Sequence, residues 1–474
     1  MGFNSSPKFK VKSHNIIVAI FTNKTVLASI ALTLLFIIIF HIGSTVSVPG
    51  IVITGGALNT NTFASMLNLL AGGGLSRLSV FSVGVGPYIT SQIIVQLLSS
   101  DLIPPLSRMA KSGERGKKKL EIITRILTLP FCVAQSYAVV ALILQNSNGS
   151  ITIFGATTLG DLSVGSIVAL ISIFTAGSYI SLFIGDMITK RGVGNGITLL
   201  ILSGIVASVF SNFSIAYDTI AGKFDQTKLT ETITMIISVI LYFALFVVLM
   251  LAVVFIDQSI RKIPIQQTGQ GLITEVEKLP FLPLKINVAG VIPVIFASSL
   301  MTIPETIGQF LSSSNEFGWF INEYLLISTP VGLSLYALFI ILFSFFYSYI
   351  QINPQQMSEN FEKSGRFIPG VKSGHDTELH ITKILNRINW IGAPFLALIA
   401  ALPYLISYIT SIPSGIALGG TGIIIMVSGS MELWYSIRSN TVTSGYNVHR
   451  TKIENKINEK VNNNVDDSTD HQLW

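Results

Sequence analysis

The chain has 474 residues, of which 50% are hydrophobic and 11% charged, with a formal net charge of +6. So few charges exclude a disordered polymer and are unusual for a water-soluble protein, and the long apolar windows identify a polytopic integral membrane protein. Cys132 is the only cysteine, which excludes an intramolecular disulfide and argues against a thiolate metal site.

The start, MGFNSSPKFKVKSHN, is polar and basic, and no small-residue cleavage site follows the first apolar run, so no cleaved signal is expected. Apolar periodicity and length then give ten candidate spans: Thr25 to Ile42, Leu78 to Leu98, Ile122 to Leu144, Ser163 to Gly185, Gly196 to Phe213, Thr232 to Ile256, Val288 to Ile307, Pro330 to Ile350, Ile388 to Ile409 and Ser414 to Trp434. Lys and Arg collect in the N-terminal tail, in Arg108 to Lys119, at Lys190-Arg191, at Arg261-Lys262, in Lys363 to Arg387 and in the C-terminal tail. The alternate loops are nearly free of them: Asn146 to Leu162 and Ile307 to Thr329 contain none, and residues 44 to 77 contain only Arg77. By the positive-inside rule both termini are cytoplasmic.

Five spans in each half require the second half to insert with opposite orientation. Two spans carry the same interruption, Gly84-Val85-Gly86-Pro87 and Gly290-Val291-Ile292-Pro293. Gly lowers helical preference and Pro removes a donor, so both helices should be kinked or divided. Broken helices in lipid need protein or a water-filled cavity to satisfy the freed backbone, which points to a pathway between the halves. The expected organisation is a cytoplasmic segment 1–24, a first half 25–213, an external loop 214–230, a second half 231–435 with polar cytoplasmic loops 257–286 and 351–387, and a cytoplasmic tail 436–474.

Chemistry is sparse. Ionisable residues in the spans lie near their ends: Arg125, Asp186 and Glu432 at the cytoplasmic borders and His41 at the outer one. A coupled small-solute carrier, the alternative reading, usually needs such a group at depth. His375 and His380 form no HExxH and fall in a polar loop, Asp186 has no second aspartate facing it, and Ser203 lacks a membrane-embedded His. No catalytic residues, cofactor or metal are therefore expected. The Gly72-Gly73-Gly74 run is not followed by the Lys-Ser or Lys-Thr of a phosphate loop, so a partner must supply any nucleotide chemistry.

Seven strings in order carry a family resemblance: HIGSTVSVPGI (41–51), AGGGLSRLSVFSVGVGPYITSQIIVQLL (71–98), SGERGKKK (112–119), TAGSYISLFIGDMITKRGVGNGITLLI (175–201), LPLKINVAGVIPVIFASSL (282–300), INPQQMSENFEKSGRFIPGVKSG (352–374) and GGTGIIIMV (419–427). They resemble the SecY family of channel subunits of the bacterial protein translocon. The resemblance implies an all-α clamshell of two inverted five-helix halves around an hourglass pore in the cytoplasmic membrane.

It also implies site residues. An aliphatic ring at the waist would comprise Val85, Ile89, Ile197, Ile201, Ile295 and Ile425, with Val85 standing where the family usually has Ile. Such a constriction dewets and blocks ions, yet can spread around a peptide; the bland alternative is ordinary core or lipid-facing packing. A plug helix would carry Phe63, Met66, Leu67 and Leu70, with Gly72, Gly73 and Gly74 as hinge; the same spacing suits an outer-surface amphipathic helix. The lateral gate would use Thr90, Gln135 and Asn287, whose hydrogen bonds across the interface would contribute about 1 kcal/mol each. Arg261, Lys262 and Lys372 resemble docking residues for the ribosome, including its rRNA phosphates, and for the SecA motor. At Lys372 the family usually has Arg, whose planar bidentate contact Lys cannot form. SecE and SecG are the implied partner subunits, signal-bearing unfolded polypeptides the implied cargo, and membrane lipids the medium into which apolar segments are released.

Overall fold

The computed structural model describes residues 20–21, 23–53, 71, 75, 78–99, 103–146, 151–156, 159–222, 229–268, 280–310, 316–410 and 420–443. In chain order these form α1 (Lys24–Thr45), β1 (Ile51–Ile53), α2 (Gly86–Leu97), α3 (Pro104–Lys111), α4 (Glu114–Asn146), β2 (Ile151–Ile153), α5 (Val164–Arg191), α6 (Gly196–Ala221) and α7 (Leu229–Gln258). There follow β3 (Ile260–Pro264), β4 (Gln266–Gln267), β5 (Phe281–Lys285), α8 (Ile292–Phe310), α9 (Glu316–Phe320), α10 (Pro330–Ile352), α11 (Pro354–Lys363), β6 (Arg366–Phe367), α12 (His375–Thr410) and a last helix, α13, over 420–443.

Local chemistry sets the helix ends. Asn23 caps α1 by accepting from the Thr25 amide, Ser163 caps α5 by accepting from Ser166, and Thr329 caps α10 by accepting from Gly332. Lys190 and Arg191 close α5 where the helix dipole is negative. Among the described residues six helices are long and apolar enough to cross a membrane, and the shorter apolar helices Gly196–Val209 and Ile292–Gly308 accompany them. Each of the ten expected spans overlaps a helix. Large apolar side chains such as Ile38, Ile126, Leu241 and Trp390 stay exposed on these helices, which suits a lipid-facing surface.

Six boundaries depart from expectation. The second and seventh spans are helical only from Gly86 and Ile292, because the preceding Gly turns the chain. α4 begins at Glu114 and α12 at His375, so the basic run 115–119 and the HDTELH string are helical rather than loop. α6 runs on to Ala221, into the expected external loop, and α13 runs on to 443, into the expected tail. The segment 257–286, expected as a polar loop, contains a hairpin in which β3 pairs antiparallel with β5, Arg261 opposite Leu284 and Lys262 opposite Pro283.

Three apolar clusters position the rest. The largest gathers side chains from both halves, among them Ile89, Ile201, Ile295 and Ile425. A second, with Val48, Leu78, Ile143, Ile153 and Phe174, lies under the β1–β2 pair. The third, with Ile263, Leu284, Val288, Ile368, Ile381 and Leu385, fuses the β3–β5 hairpin to the segment between α11 and α12. That fusion is reinforced by the β4–β6 pairing and by Thr268, whose amide and hydroxyl both donate to the Gly365 carbonyl.

Candidate functional site

The site begins at the two interrupted helices. Gly84 (φ +56°) and Gly290 (φ +64°) occupy the left-handed region that favours glycine. Each turn leads two residues later into a helix, α2 or α8. Pro87 and Pro293 fall in the opening turns, where a missing N–H costs nothing. The first bonds match as well: the Ile89 amide donates to Val85 O at 3.2 Å, and the Ile295 amide to Val291 O at 3.2 Å.

This geometry brings five of the six expected ring residues together. Val85, Ile89, Ile201, Ile295 and Ile425 are at most 6% exposed and share one cluster, with Ile197 half-buried and packed against it. Gly185 and Gly196 allow α5 and α6 to approach there: a Cβ on Gly196 would meet the Gly185 carbonyl oxygen at 1.9 Å. The resulting cluster is buried and aliphatic.

At the expected gate, α8 packs against α2 and α4. Thr90, Gln135 and Asn287 are all buried there. The hydroxyl of Thr90 donates to Gly86 O of its own helix at 3.2 Å, while Gln135 Oε1 and Asn287 Oδ1 have no hydrogen-bond partner among the described residues. Asn287 instead faces the carboxylate of Asp257 on α7. Buried polar groups, two of whose oxygens have no hydrogen-bond partner among the described residues, therefore lie where these helices pack.

The plug positions Phe63, Met66, Leu67, Leu70, Gly72, Gly73 and Gly74 lie outside the described residues. Arg261 and Lys262 are exposed on β3, Lys262 Nζ standing 5.1 Å from the Phe281 ring centroid; Lys372 is exposed on the neighbouring segment, where its carbonyl accepts from Thr377 Oγ1 at 2.8 Å.

Two buried acids, Glu305 and Asp257, escaped the sequence reading, which names Asp186 without its partner. Asp186 pairs with Arg125 of α4 at 2.5 Å; Arg125 also reaches Glu121. Glu305, toward the C-terminal end of α8, is 2% exposed and lies beside the Ile327 amide, so an expected span does hold an ionisable group away from water. Asp257 is 3% exposed and pairs with Lys285 at 3.7 Å. A signal was available for Glu305, since it is the only acid within the apolar run 288–307.

Comparison with known proteins gives the family and the fold. The SecY family's sequence profile matches residues 79–434. The protein translocase subunit SecY of Mycoplasmoides gallisepticum is 52% identical over 445 residues, covering 93% of this chain and 88% of that protein. Its counterpart in Mycoplasma pneumoniae is 49% identical over 433 residues, covering 91% and 89%. Among solved structures, a protein-conducting channel has a TM-score of 0.64 at 17% identity, covering 89% of this chain and 94% of that one. Sec61 in the canine ribosome-channel complex from the endoplasmic reticulum has a TM-score of 0.60 at 16% identity, with the same coverage. At these identities the structures show a shared fold.

Proposed function

The chain belongs to the SecY family of protein translocase subunits, and from that premise we propose that it passes unfolded, signal-bearing chains through the aliphatic waist and releases apolar segments sideways between α8 and the α2–α4 pair. The carrying observation is the meeting of Val85, Ile89, Ile201, Ile295 and Ile425, from both halves, in one buried cluster where two divided helices begin. A ring of branched aliphatic side chains closes by packing and reopens around a polypeptide at the cost of contacts that the polypeptide's own surface partly replaces. An apolar signal helix arriving at the α2–α8 interface would exchange with packing contacts, and the unpartnered Gln135 and Asn287 oxygens would gain partners.

The protein sits in the cytoplasmic membrane with both termini in the cytoplasm in this reading, which the basic loop pattern supports. Residues from about 61 to 76 supply the plug in this reading. Energy comes from outside the chain, from a SecA motor or a translating ribosome engaging Arg261, Lys262 and Lys372, and SecE and SecG complete the complex. The ribosome-bound state of the canine Sec61 relative supports the ribosome arm of this proposal.

The test is site-specific crosslinking from Ile197→Cys, in a Cys132→Ala background, to a stalled secretory chain. A signal-dependent adduct is expected. Insertion of the chain without an adduct would reject the ring assignment, and failure of the chain to engage the complex at all would reject the channel reading.

A further inference from the structure

The cytoplasmic end of the largest cluster holds a buried charge that neither ring nor gate requires. Asp257, at the end of α7, is 3% exposed, and Lys285 Nζ at the end of β5 lies 3.7 Å from its Oδ2. That is an ion pair without a hydrogen bond, for among the described residues Oδ2 has no hydrogen-bond partner. Ser428 of α13 and Asn287 face the same carboxylate, and Ser428 Oγ and Asn287 Oδ1 are themselves buried without hydrogen-bond partners among the described residues. Lys285 Nζ also stands 4.6 Å from the ring centroid of Tyr435 on α13, with the negative charge of Glu432 nearby.

The positions matter because each belongs to a different part of the machine. Lys285 closes the hairpin that carries Arg261 and Lys262, and it lies five residues before the turn at Gly290 that starts α8. Ser428 and Tyr435 follow ring residue Ile425 along α13. Removing one member of a buried pair is costly because it strands the other charge, whereas the intact pair contributes little net stability. A pair of that kind, surrounded by unspent hydrogen-bonding groups, is better suited to fixing an arrangement than to holding a fold together.

We propose that Asp257 and Lys285 are positioning residues that hold the waist closed by tying the cytoplasmic hairpin to α13, and that the pair separates when the channel opens. The proposal rests on the channel reading above. Displacement of the hairpin pulls Lys285 from between Asp257 and Tyr435, which frees α13 and with it Ile425.

The experiment uses the full chain with its partner subunits in planar bilayers and proteoliposomes. Asp257→Asn and Lys285→Met should each raise resting ion conductance several-fold and let substrates with defective signals pass. The exchange variant Asp257→Lys/Lys285→Asp, and separately Lys285→Arg, should return both readouts toward wild type. Neutral variants with wild-type conductance and stringency overturn the proposal. Should the neutral variants fail to accumulate, the exchange variant decides: wild-type stringency supports the pair, and a leaky, permissive exchange variant rejects it. A wild-type complex that translocates no signal-bearing chain rejects the channel reading and the proposal with it, a result distinct from all of these.

Discussion

Gly84 and Gly290, 206 positions apart in the chain, hold the same left-handed backbone conformation two residues ahead of a helix start. At Gly290 an added Cβ would meet no atom within 4 Å, so the cost of a side chain there is conformational alone. Gly290→Ala should therefore destabilise the protein by about 1–2 kcal/mol, and Gly290→Asn by less, because Asn tolerates this region. Thermal unfolding midpoints in detergent should rank wild type above Asn above Ala.

Ile425 is 1% exposed within the ring cluster. Ile425→Asn places an amide with no partner there, at about 1–3 kcal/mol for the closed state, and wets the waist. The expected result is a higher resting conductance and passage of substrates with weakened signals. Ile197→Asn should act in the same direction but less strongly, since Ile197 is already half-buried. Unchanged conductance in both would remove them from the ring.

The Arg125 guanidinium bridges α4 to Asp186 of α5, and its carbonyl accepts from the Tyr179 hydroxyl at 2.8 Å. Arg125→Gln leaves the Asp186 carboxylate, 19% exposed, without its partner and should cost about 1–3 kcal/mol. Glu121→Gln, which touches only the exposed i,i+4 pair, should stay within about 0.5 kcal/mol. Adding Asp186→Asn to Arg125→Gln should recover part of the loss, as read by denaturation in detergent.

Arg261→Glu and Lys262→Glu should weaken ribosome binding and flatten its salt dependence, by about 0.7 in the log–log slope for each phosphate contact to single-stranded RNA lost. Lys372→Glu should do the same if it faces the same surface. Binding titrations at several ionic strengths measure both quantities, and an unchanged slope would remove these residues from any nucleic-acid contact.

The divided helices were legible because Gly and Pro act on their own backbone, so Gly84-Val85-Gly86-Pro87 and its counterpart announce themselves locally. The ring assignment came from family resemblance alone, since nothing in an isolated Ile425 distinguishes a pore from a core. His375 was misread as loop because a hydropathy window sees only the part of α12 that can sit in lipid and is blind to its polar opening turns. The Asp257–Lys285 pair was out of reach for a different reason: the β3–β5 register that brings residue 285 back to residue 257 follows from long-range packing, with no local signal. Glu305 was visible and overlooked; its burial beside Ile327 depends on the chain returning after α9.

The two glycine turns have an electrostatic consequence. Because α2 and α8 begin one residue after Val85 and Val291, both of the main cluster, both set their amide-rich ends, each equivalent to roughly half a positive charge, against that cluster. In the channel reading, a waist flanked in this way would repel cations even when wetted, so whatever leaks through a loosened ring should be carried mainly by anions, and the proton gradient across the membrane would be spared.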